Sequence, residues 1–238
     1  MSKWLWIGLI VAVAAVFLIV LPKLESKNRE KRLDAVYAKT EMTGNQIQQL
    51  FNNLPEVSEG AVVFAGNSLT AALPLTAFGK GKFVNHGISG ALISTMIYQT
   101  ENLKDEAPAM LFLEGGINDL MTGSTSQQVC ASWSVLLDKL QKELPETKIA
   151  VQSVLPVRPQ LITAARVPGI NESVREINAF LYAECMKRNF LYADLYTHLQ
   201  DDGQLNSRYT TDGVHLNSEG YIIWIEEIKP LLSAITTN

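Results

Sequence analysis

The chain of 238 residues has few cysteines, few histidines and no excess of basic residues. It contains two cysteines, three histidines, and 20 lysines and arginines against 24 acidic residues, which gives a net charge of −4. No Cys/His cluster is present that would indicate a zinc site. The charge balance offers no basic surface for a nucleic acid. The sequence therefore predicts neither a metal site nor a nucleic-acid partner.

The two cysteines, Cys130 and Cys185, lie in stretches of helical periodicity. Buried free thiols are expected there rather than a disulfide, although two cysteines do not identify the compartment. The chain also lacks internal repeats and low-complexity segments. Its length and its 47% of hydrophobic residues fit one sizeable globular domain with an appendage.

Long apolar sequence is concentrated at the N-terminus. Residues 4–21, WLWIGLIVAVAAVFLIVL, are uncharged and lie between Lys3 and Lys23, and their length is about the minimum for a helix that crosses a bilayer. A cleaved signal peptide has a shorter apolar run followed by a small-x-small site, whereas here the small residues lie inside the run. We therefore expect an uncleaved transmembrane anchor over residues 1–22.

Two sequence features predict opposite orientations of such an anchor in the membrane. The positive-inside rule keeps the main domain in the cytoplasm, because basic residues follow the run at Lys23, Lys27, Arg29, Lys31 and Arg32. An anchor near the start of a chain, preceded by a short basic tail, usually exports the domain on its C-terminal side. We expect a single-pass protein of the cell membrane with an extracytoplasmic or periplasmic domain, and the charge count opposes this expectation.

The remainder of the chain divides into a linker and one domain. Residues 23–58 are charged and then amphipathic, which predicts a linker or stalk helices. From residue 59 onward, short apolar runs alternate with segments of helical period. The runs are 61–65, 82–84, 109–113, 148–155 and 190–193, and the helical segments are near 91–104, 126–143, 171–188 and 218–235.

The apolar runs show no inside–outside alternation, which indicates a parallel sheet covered by helices on both faces. Residues 59–238 are therefore predicted to form an α/β domain: a three-layer α/β/α sandwich with a five-stranded parallel sheet of flavodoxin-like type. Ligands in such sheets bind beyond the carboxyl ends of the strands. Loops rich in glycine and small polar residues are expected at that edge. They are GNS (66–68), NHGISG (85–90), EGGIND (114–119) and TDGVHLN (211–217).

The last of these loops offers a base for a serine nucleophile. His215 has an acid, Asp212, three residues before it, and Gly213 permits the tight reversal that brings the two side chains together. Neutral imidazole can remove the proton from a serine hydroxyl such as that of Ser68, provided a carboxylate fixes its tautomer. Taken alone, the Asp-x-x-His spacing fits a helix start equally well.

Acyl transfer also requires donors for the oxyanion of the tetrahedral intermediate. The backbone N–H of Ser68 is one candidate, at the start of a predicted helix. Gly90 can bring a second N–H close because it lacks a side chain, and Asn118 offers a side-chain amide. Taken singly, Gly90 is more typical of a turn and Asn118 of a loop or helix cap.

Four segments in this order resemble the SGNH/GDSL family of serine esterases and lipases. They are GNSL (66–69), NHGISG (85–90), GIND (116–119) and DGVH (212–215), and the resemblance covers residues 61–224. It implies the α/β/α fold, a serine nucleophile at Ser68, and a triad completed by Asp212 and His215. It also implies an oxyanion hole formed by Ser68, Gly90 and Asn118.

The chain departs from the family pattern at two positions. Asn67 stands where the family usually has Asp, which puts the hydrogen bonding of the turn in question. Ala91 stands where an acid often follows the glycine of the second segment. The Gly-x-Ser-x order at 66–69 also resembles the nucleophile elbow of α/β-hydrolases, but Thr70 replaces the second glycine, and that fold places its nucleophile after several strands.

Three functions are therefore hypotheses. The first is a membrane-anchored serine hydrolase that cleaves carboxylic esters, whether lipid acyl, short acyl or sugar O-acyl, without a metal or organic cofactor. The second is an O-acyltransferase that acts on a cell-envelope glycan, and the third is a non-catalytic binding or scaffolding module. The sequence does not identify the ester, although the apolar loops 69–81 and 156–170 are expected to wall the cleft.

Four polar residues outside these assignments are expected to be structural. His86 would fill the second loop, and Asp119 would brace the third. Asp194 ends a predicted strand, and His198 has no partner in the sequence and is expected at the surface.

Overall fold

The computed structural model describes residues 54–162 and 169–236. They belong to one compact unit that spans Gln48–Asn238. The predicted anchor at 1–22 and all but the last residues of the predicted linker lie outside the described residues.

No helix within the described ranges has both the length and the apolar character needed to cross a membrane. On this finding the prediction of a single-pass membrane anchor with an extracytoplasmic domain is wrong and is withdrawn. Its physical basis was the apolar run 4–21, which is only about the minimum length for a span, and that run lies outside the described residues.

Five parallel strands form the central sheet, in the order β2-β1-β3-β4-β5. They are β1 (Val62–Ala65), β2 (Phe83–Asn85), β3 (Met110–Leu113), β4 (Lys148–Gln152) and β5 (Leu191–Ala193). Every residue of β1 and β3 is buried, as expected of central strands with helices on both faces. The predicted five-stranded parallel sheet is therefore confirmed, and its order is flavodoxin-like.

Helices cover both faces of the sheet. They are α1 (Ser68–Ala71), α2 (Ile93–Gln99), α3 (Leu103–Glu106), α4 (Ile117–Met121), α5 (Ser126–Glu143), α6 (Ile170–Arg188), α7 (Leu195–Leu199) and α8 (Ser218–Thr236). On one face, Val63 and Leu111 pack in a cluster with Trp133 of α5. On the other, Phe64 packs in a cluster with Trp224 of α8. Successive residues of one strand thus supply two separate cores.

Smaller elements complete the described residues. The antiparallel hairpin β6 (Gln200–Asp201) and β7 (Gln204–Leu205) follows α7. Two 3₁₀ turns span Leu75–Phe78 and Ser207–Tyr209. Cys130 and Cys185 are free thiols, as predicted, and burial raises the pKa of Cys185 to about 12.

The fourth predicted strand, 148–155, ends earlier than the sequence indicated. Beyond Gln152 the chain leaves the ladder because side chains of α6 pair with its backbone. The amide of Asn178 bonds both the N–H and the carbonyl of Val154, at 2.7 and 2.9 Å. Asn171 bonds Val157 in the same way, at 2.9 Å for each bond. The two asparagines thus hold an extended segment that leads from the sheet toward the loops at its carboxyl edge.

Candidate active site

The turn that carries Ser68 lies at the carboxyl end of β1, where the strand order changes direction between β2 and β3. Ser68 is the first residue of α1, and Asn67 caps this helix through a side-chain oxygen that accepts from the N–H of Leu69 at 2.8 Å. The Oγ atom of Ser68 lies 3.0 Å from Nε2 of His215. The structure thus brings together two side chains that are 147 residues apart in sequence.

The loop before α8 holds His215 through Asp212. Nδ1 of His215 lies 2.6 Å from Oδ2 of Asp212. The other oxygen of Asp212, Oδ1, accepts from the backbone N–H groups of Val214 and His215, at 2.9 and 2.8 Å. Gly213 has a φ of +86°, and a Cβ at this position would lie 2.5 Å from the carbonyl oxygen of Arg158. The reversal at Gly213 therefore requires glycine, because a side chain would be strained and would clash.

The hydrogen bonds around Asp212 keep its carboxylate ionised. Partial burial would raise the pKa of this group, but the His215 ring and the backbone N–H groups of Val214 and His215 outweigh it and lower the pKa to about 2. An ionised carboxylate at Nδ1 requires the ring proton there, which leaves Nε2 free to accept a proton from Ser68. These contacts are the ones that the predicted roles of nucleophile, base and orienting acid require.

Of the predicted oxyanion-hole residues, Gly90 lies in the loop after β2, and Asn118 lies at the start of the helix that follows β3. Gly90 has a φ of +81°, and a Cβ there would meet nothing within 4 Å. Asn118 is the second residue of α4, and its Nδ2 donates to the carbonyl of Ala91, the neighbour of Gly90, at 3.0 Å. Asp119 accepts from the N–H of Ile93 at 3.2 Å. The two loops are therefore tied together by consecutive residues of α4.

Glu114 was not anticipated as part of this site. It follows β3 directly, it is 3% exposed, and its carboxyl group accepts hydrogen bonds from the side chains of Asn67 and Thr70. Asn67 is itself fully buried. The sequence placed Glu114 at the start of the predicted loop 114–119, and Asn67 already departed from the family pattern. The predicted strand order makes β1 and β3 neighbours, but it does not show that these two side chains meet.

The other polar residues that the sequence analysis singled out make contacts outside the Ser68–His215–Asp212 arrangement. His86 is 4% exposed, and its ring lies between the carbonyl oxygens of Gln99 and Pro55, 3.0 and 2.9 Å from its nitrogens. Asp194 caps α7 by accepting from the N–H of Thr197 at 3.1 Å. His198 is partly exposed and lies 3.3 Å from Glu227. In residues 54–162 and 169–236, no group of three His, Cys, Asp or Glu side chains is placed to hold a metal ion.

Residues 57–223 match the family model described as GDSL-like Lipase/Acylhydrolase family. The match covers more than half of the chain and includes all four segments that carry the resemblance in the sequence.

Curated relatives share 25% identity with this chain. One is an N-acylneuraminate cytidylyltransferase of Streptococcus agalactiae serotype III (strain NEM316), matched over 190 residues, which are 77% of this chain and 42% of the relative. Another is an N-acylneuraminate cytidylyltransferase of Escherichia coli O18:K1:H7, matched over 196 residues, which are 79% of this chain and 43% of the relative. The chain thus spans about two fifths of the length of these relatives.

Solved structures with the same fold include a GDSL-like lipase from Bacteroides thetaiotaomicron. Its TM-score is 0.67 at 21% identity, over 80% of this chain and 97% of that one. A member of the lipolytic protein G-D-S-L family from Veillonella parvula has a TM-score of 0.60 at 22% identity, over 75% and 99% of the two chains. At these identities the likeness concerns the fold alone.

Proposed function

The chain belongs to the GDSL-like lipase/acylhydrolase family, and on this premise we propose that it is a serine hydrolase that cleaves carboxylic esters through Ser68. The observation that carries the proposal is the chain of contacts from Ser68 Oγ to His215 Nε2, at 3.0 Å, and from His215 Nδ1 to Asp212, at 2.6 Å. A serine hydroxyl is a weak nucleophile unless a base takes its proton during attack. This arrangement supplies such a base.

In the proposed reaction, Oγ of Ser68 forms a bond to the acyl carbon while Nε2 of His215 takes the hydroxyl proton. The negative charge moves to the carbonyl oxygen, where the N–H groups of Ser68 and Gly90 and the amide of Asn118 would donate to it. The carbonyl re-forms and the C–O bond to the alcohol breaks, and His215 returns its proton to the leaving oxygen. Water then attacks the acyl-enzyme by the same route and releases the acid and Ser68. Asp212 stabilises the imidazolium that forms twice in the cycle.

The exposure of the triad supports an open cleft. The side chains of His215 and Asp212 are 52% and 51% exposed. Such a site admits esters that are part of larger molecules, so lipid acyl, short acyl and sugar O-acyl esters remain the substrate classes. The curated relatives are named for an acylated sugar, N-acylneuraminate, whose acyl group is an amide. A sugar that carries an O-acyl ester is the form that the proposed reaction would cleave.

The same exposure supports a second candidate function, an O-acyltransferase. An alcohol that approaches the half-exposed side of His215 could replace water in the second step, and the product would then be a new ester. The acyl-enzyme on Ser68 is common to both reactions. Only the acceptor differs.

A panel of esters tests the proposal. We expect the protein to release free acid from at least one of p-nitrophenyl acetate, butyrate and octanoate or from an O-acetylated sugar, and the preferred chain length gives the substrate class. Release of the alcohol with the acyl group recovered on an added sugar would favour the transferase. Absence of both products across the whole panel would contradict an acyl-enzyme at Ser68.

The role of Gly90 can be tested by Gly90→Ala, because only backbone strain and not a clash is introduced there. A positive φ costs an alanine about 1 kcal/mol, and we expect the displaced N–H to lower kcat by about tenfold or more. Gly60→Ala is the matched control, since Gly60 also has a positive φ, of +75°, and open space around its Cβ, but it precedes β1 at the opposite edge of the sheet. Both variants should lose similar stability in thermal unfolding. An equal loss of kcat in the two would mean that Gly90 has no part in oxyanion binding.

A further inference from the structure

The turn that carries Ser68 (residues 66–70) directs three hydrogen-bond donors at the buried carboxyl group of Glu114. Nδ2 of Asn67 donates to Oε1 at 2.8 Å, and the hydroxyl of Thr70 donates to Oε2 at 3.1 Å. The backbone N–H of Asn67 lies 3.4 Å from Oε2. Asn67 directly precedes Ser68, and Thr70 follows it by two residues. One side chain at the end of β3 therefore holds the turn on both sides of the serine.

The turn is also packed against this carboxyl group without free space. A Cβ at Gly66 would lie 2.2 Å from Oγ1 of Thr70, 2.6 Å from the carbonyl oxygen of Glu114 and 3.0 Å from its Oε2. No other residue type fits at position 66 without moving one of these groups. Glu114 therefore lies directly against the backbone that leads to Ser68.

Other side chains hold the same turn through its carbonyl groups. Nε2 of Gln99 donates to the carbonyl of Gly66, and the hydroxyl of Tyr221 donates to the carbonyl of Leu69, both at 2.9 Å. Gln99 and Tyr221 act as neutral donors to the carbonyl groups of the turn. Glu114 has the opposite role, because it accepts from the donors of the turn, and an ionised carboxyl group can accept at both of its oxygens at once.

The residue at position 67 is matched to this acceptor. Asn67 uses its oxygen for the N–H of Leu69 and its amide hydrogen for Glu114. An aspartate, usual at this position in the family that the sequence resembles, would place two carboxyl groups within hydrogen-bond distance in the interior, and both could not be ionised. Asn67, unlike an aspartate, can therefore donate to an ionised Glu114 carboxyl group.

We propose that the Glu114 carboxylate is a positioning residue for Ser68, acting through Asn67 and Thr70 to keep Oγ within hydrogen-bond distance of His215. Its kinetic consequence rests on the proposed function, because only an active hydrolase would report it as a rate. Its geometric consequence, the distance from Ser68 to His215, does not.

The charge of Glu114 changes within the neutral range. Burial raises the pKa of this group to about 7, although the hydrogen bonds from Thr70 and Asn67 act in the opposite direction. Two other titratable groups lie near the turn. Burial raises the pKa of the Tyr221 phenol on α8, and the charge of Glu114 raises it further. His215 faces the turn from the other side of Ser68. Above about pH 7 the ionised form accepts all three donors. Below it, one oxygen carries a proton and the turn loses an acceptor.

The test exchanges donor and acceptor between the two positions. In Glu114→Gln, the new NH2 group replaces one of the two carboxyl oxygens. It then faces either the side-chain amide or the backbone N–H of Asn67, and both of these are donors. Because one hydrogen bond to the turn is lost in either case, we expect kcat to fall about tenfold. Asn67→Asp brings two carboxyl groups together and should also lower kcat. In the double variant Asn67→Asp/Glu114→Gln, the amide of residue 114 donates to the carboxylate of residue 67. We expect kcat within about threefold of the wild type.

The pH dependence separates positioning from a general structural role. The ratio of the kcat of the wild type to that of Glu114→Gln removes every pH effect that the two proteins share. That ratio should rise about threefold or more between about pH 6 and about pH 8. A ratio that is independent of pH, together with no recovery in the double variant, would overturn the proposal.

Two further measurements keep the outcomes distinct. Glu184→Gln is the matched control, because Glu184 is also a carboxylate with three hydrogen bonds from Lys187 and Arg188 but lies near the C-terminal end of α6. Its kcat should equal that of the wild type. Crystal structures should show Ser68 Oγ beyond hydrogen-bond distance of His215 in Glu114→Gln and back within it in the double variant. An unchanged distance overturns the proposal even if the protein hydrolyses no ester, whereas inactivity of the wild type alone contradicts only the proposed function.

Discussion

Ser68→Ala should lower ester turnover by about 10⁴-fold or more without a large change in KM. The variant removes the atom that forms the acyl bond, while the donors of the predicted oxyanion hole and the cleft remain. Any residual rate then comes from binding and oxyanion contacts alone. The measurement is steady-state hydrolysis of whichever ester of the panel is turned over fastest.

The control for this variant is Ser132→Ala. Ser132 lies on α5, where its hydroxyl donates to the carbonyl of Gln128 at 3.1 Å, so the same atom is removed without touching the site. Both proteins should unfold at temperatures close to that of the wild type. Turnover by Ser68→Ala at more than about a tenth of the wild-type rate would show that another group is the nucleophile.

Asp212→Asn is expected to reduce kcat by about 10³- to 10⁴-fold. Oδ1 of Asp212 accepts from two backbone N–H groups, so an asparagine must keep its oxygen there. Its NH2 group then faces Nδ1 of His215, where Oδ2 was. This donor selects the imidazole tautomer that carries its proton on Nε2, which cannot take the proton of Ser68.

The substitution therefore separates the two roles of Asp212, since the turn is retained and only the tautomer changes. Asp138→Asn provides the control, because Asp138 is also a carboxylate in contact with a side-chain nitrogen, that of Arg188 at 2.8 Å, and lies on α5. Kinetics on the preferred ester should show a loss in kcat for Asp212→Asn alone. If that variant keeps more than about a tenth of the wild-type kcat, Asp212 serves the turn and does not orient the base.

Much of the fold could be predicted because buried parallel strands appear as uninterrupted apolar runs. The run 109–113 and the helical segment 126–143 match β3 and α5 closely. Helices of four or five residues, such as α1 and α4, are too short for a helical period to be visible. The β6–β7 hairpin did have a signal in the sequence, because an Asp-Gly pair favours a two-residue hairpin turn. In the structure, Asp202 and Gly203 form that turn and both have a positive φ.

The placement of the site was also predictable in part. The segments with Ser68 and His215 follow or precede elements at one edge of a parallel sheet, and this edge gathers them whatever their separation in sequence. Glu114 was not predictable in the same way. Its contact with Asn67 depends on β1 and β3 being neighbours. The predicted flavodoxin-like order implies that the two strands are adjacent, but it does not show which side chains meet beyond their ends. The membrane prediction failed for a different reason, because it rested on the composition of one segment.

The proposed mechanism depends most directly on Ser68 being the residue that forms the covalent intermediate. Treatment of the full chain with a fluorophosphonate, followed by intact-mass measurement and peptide mapping, tests this in one experiment. We predict a single adduct per chain, located on Ser68, formed much more slowly in Asp212→Asn and absent from Ser68→Ala. An adduct on another residue, or equal labelling of the wild type and Ser68→Ala, would contradict the mechanism.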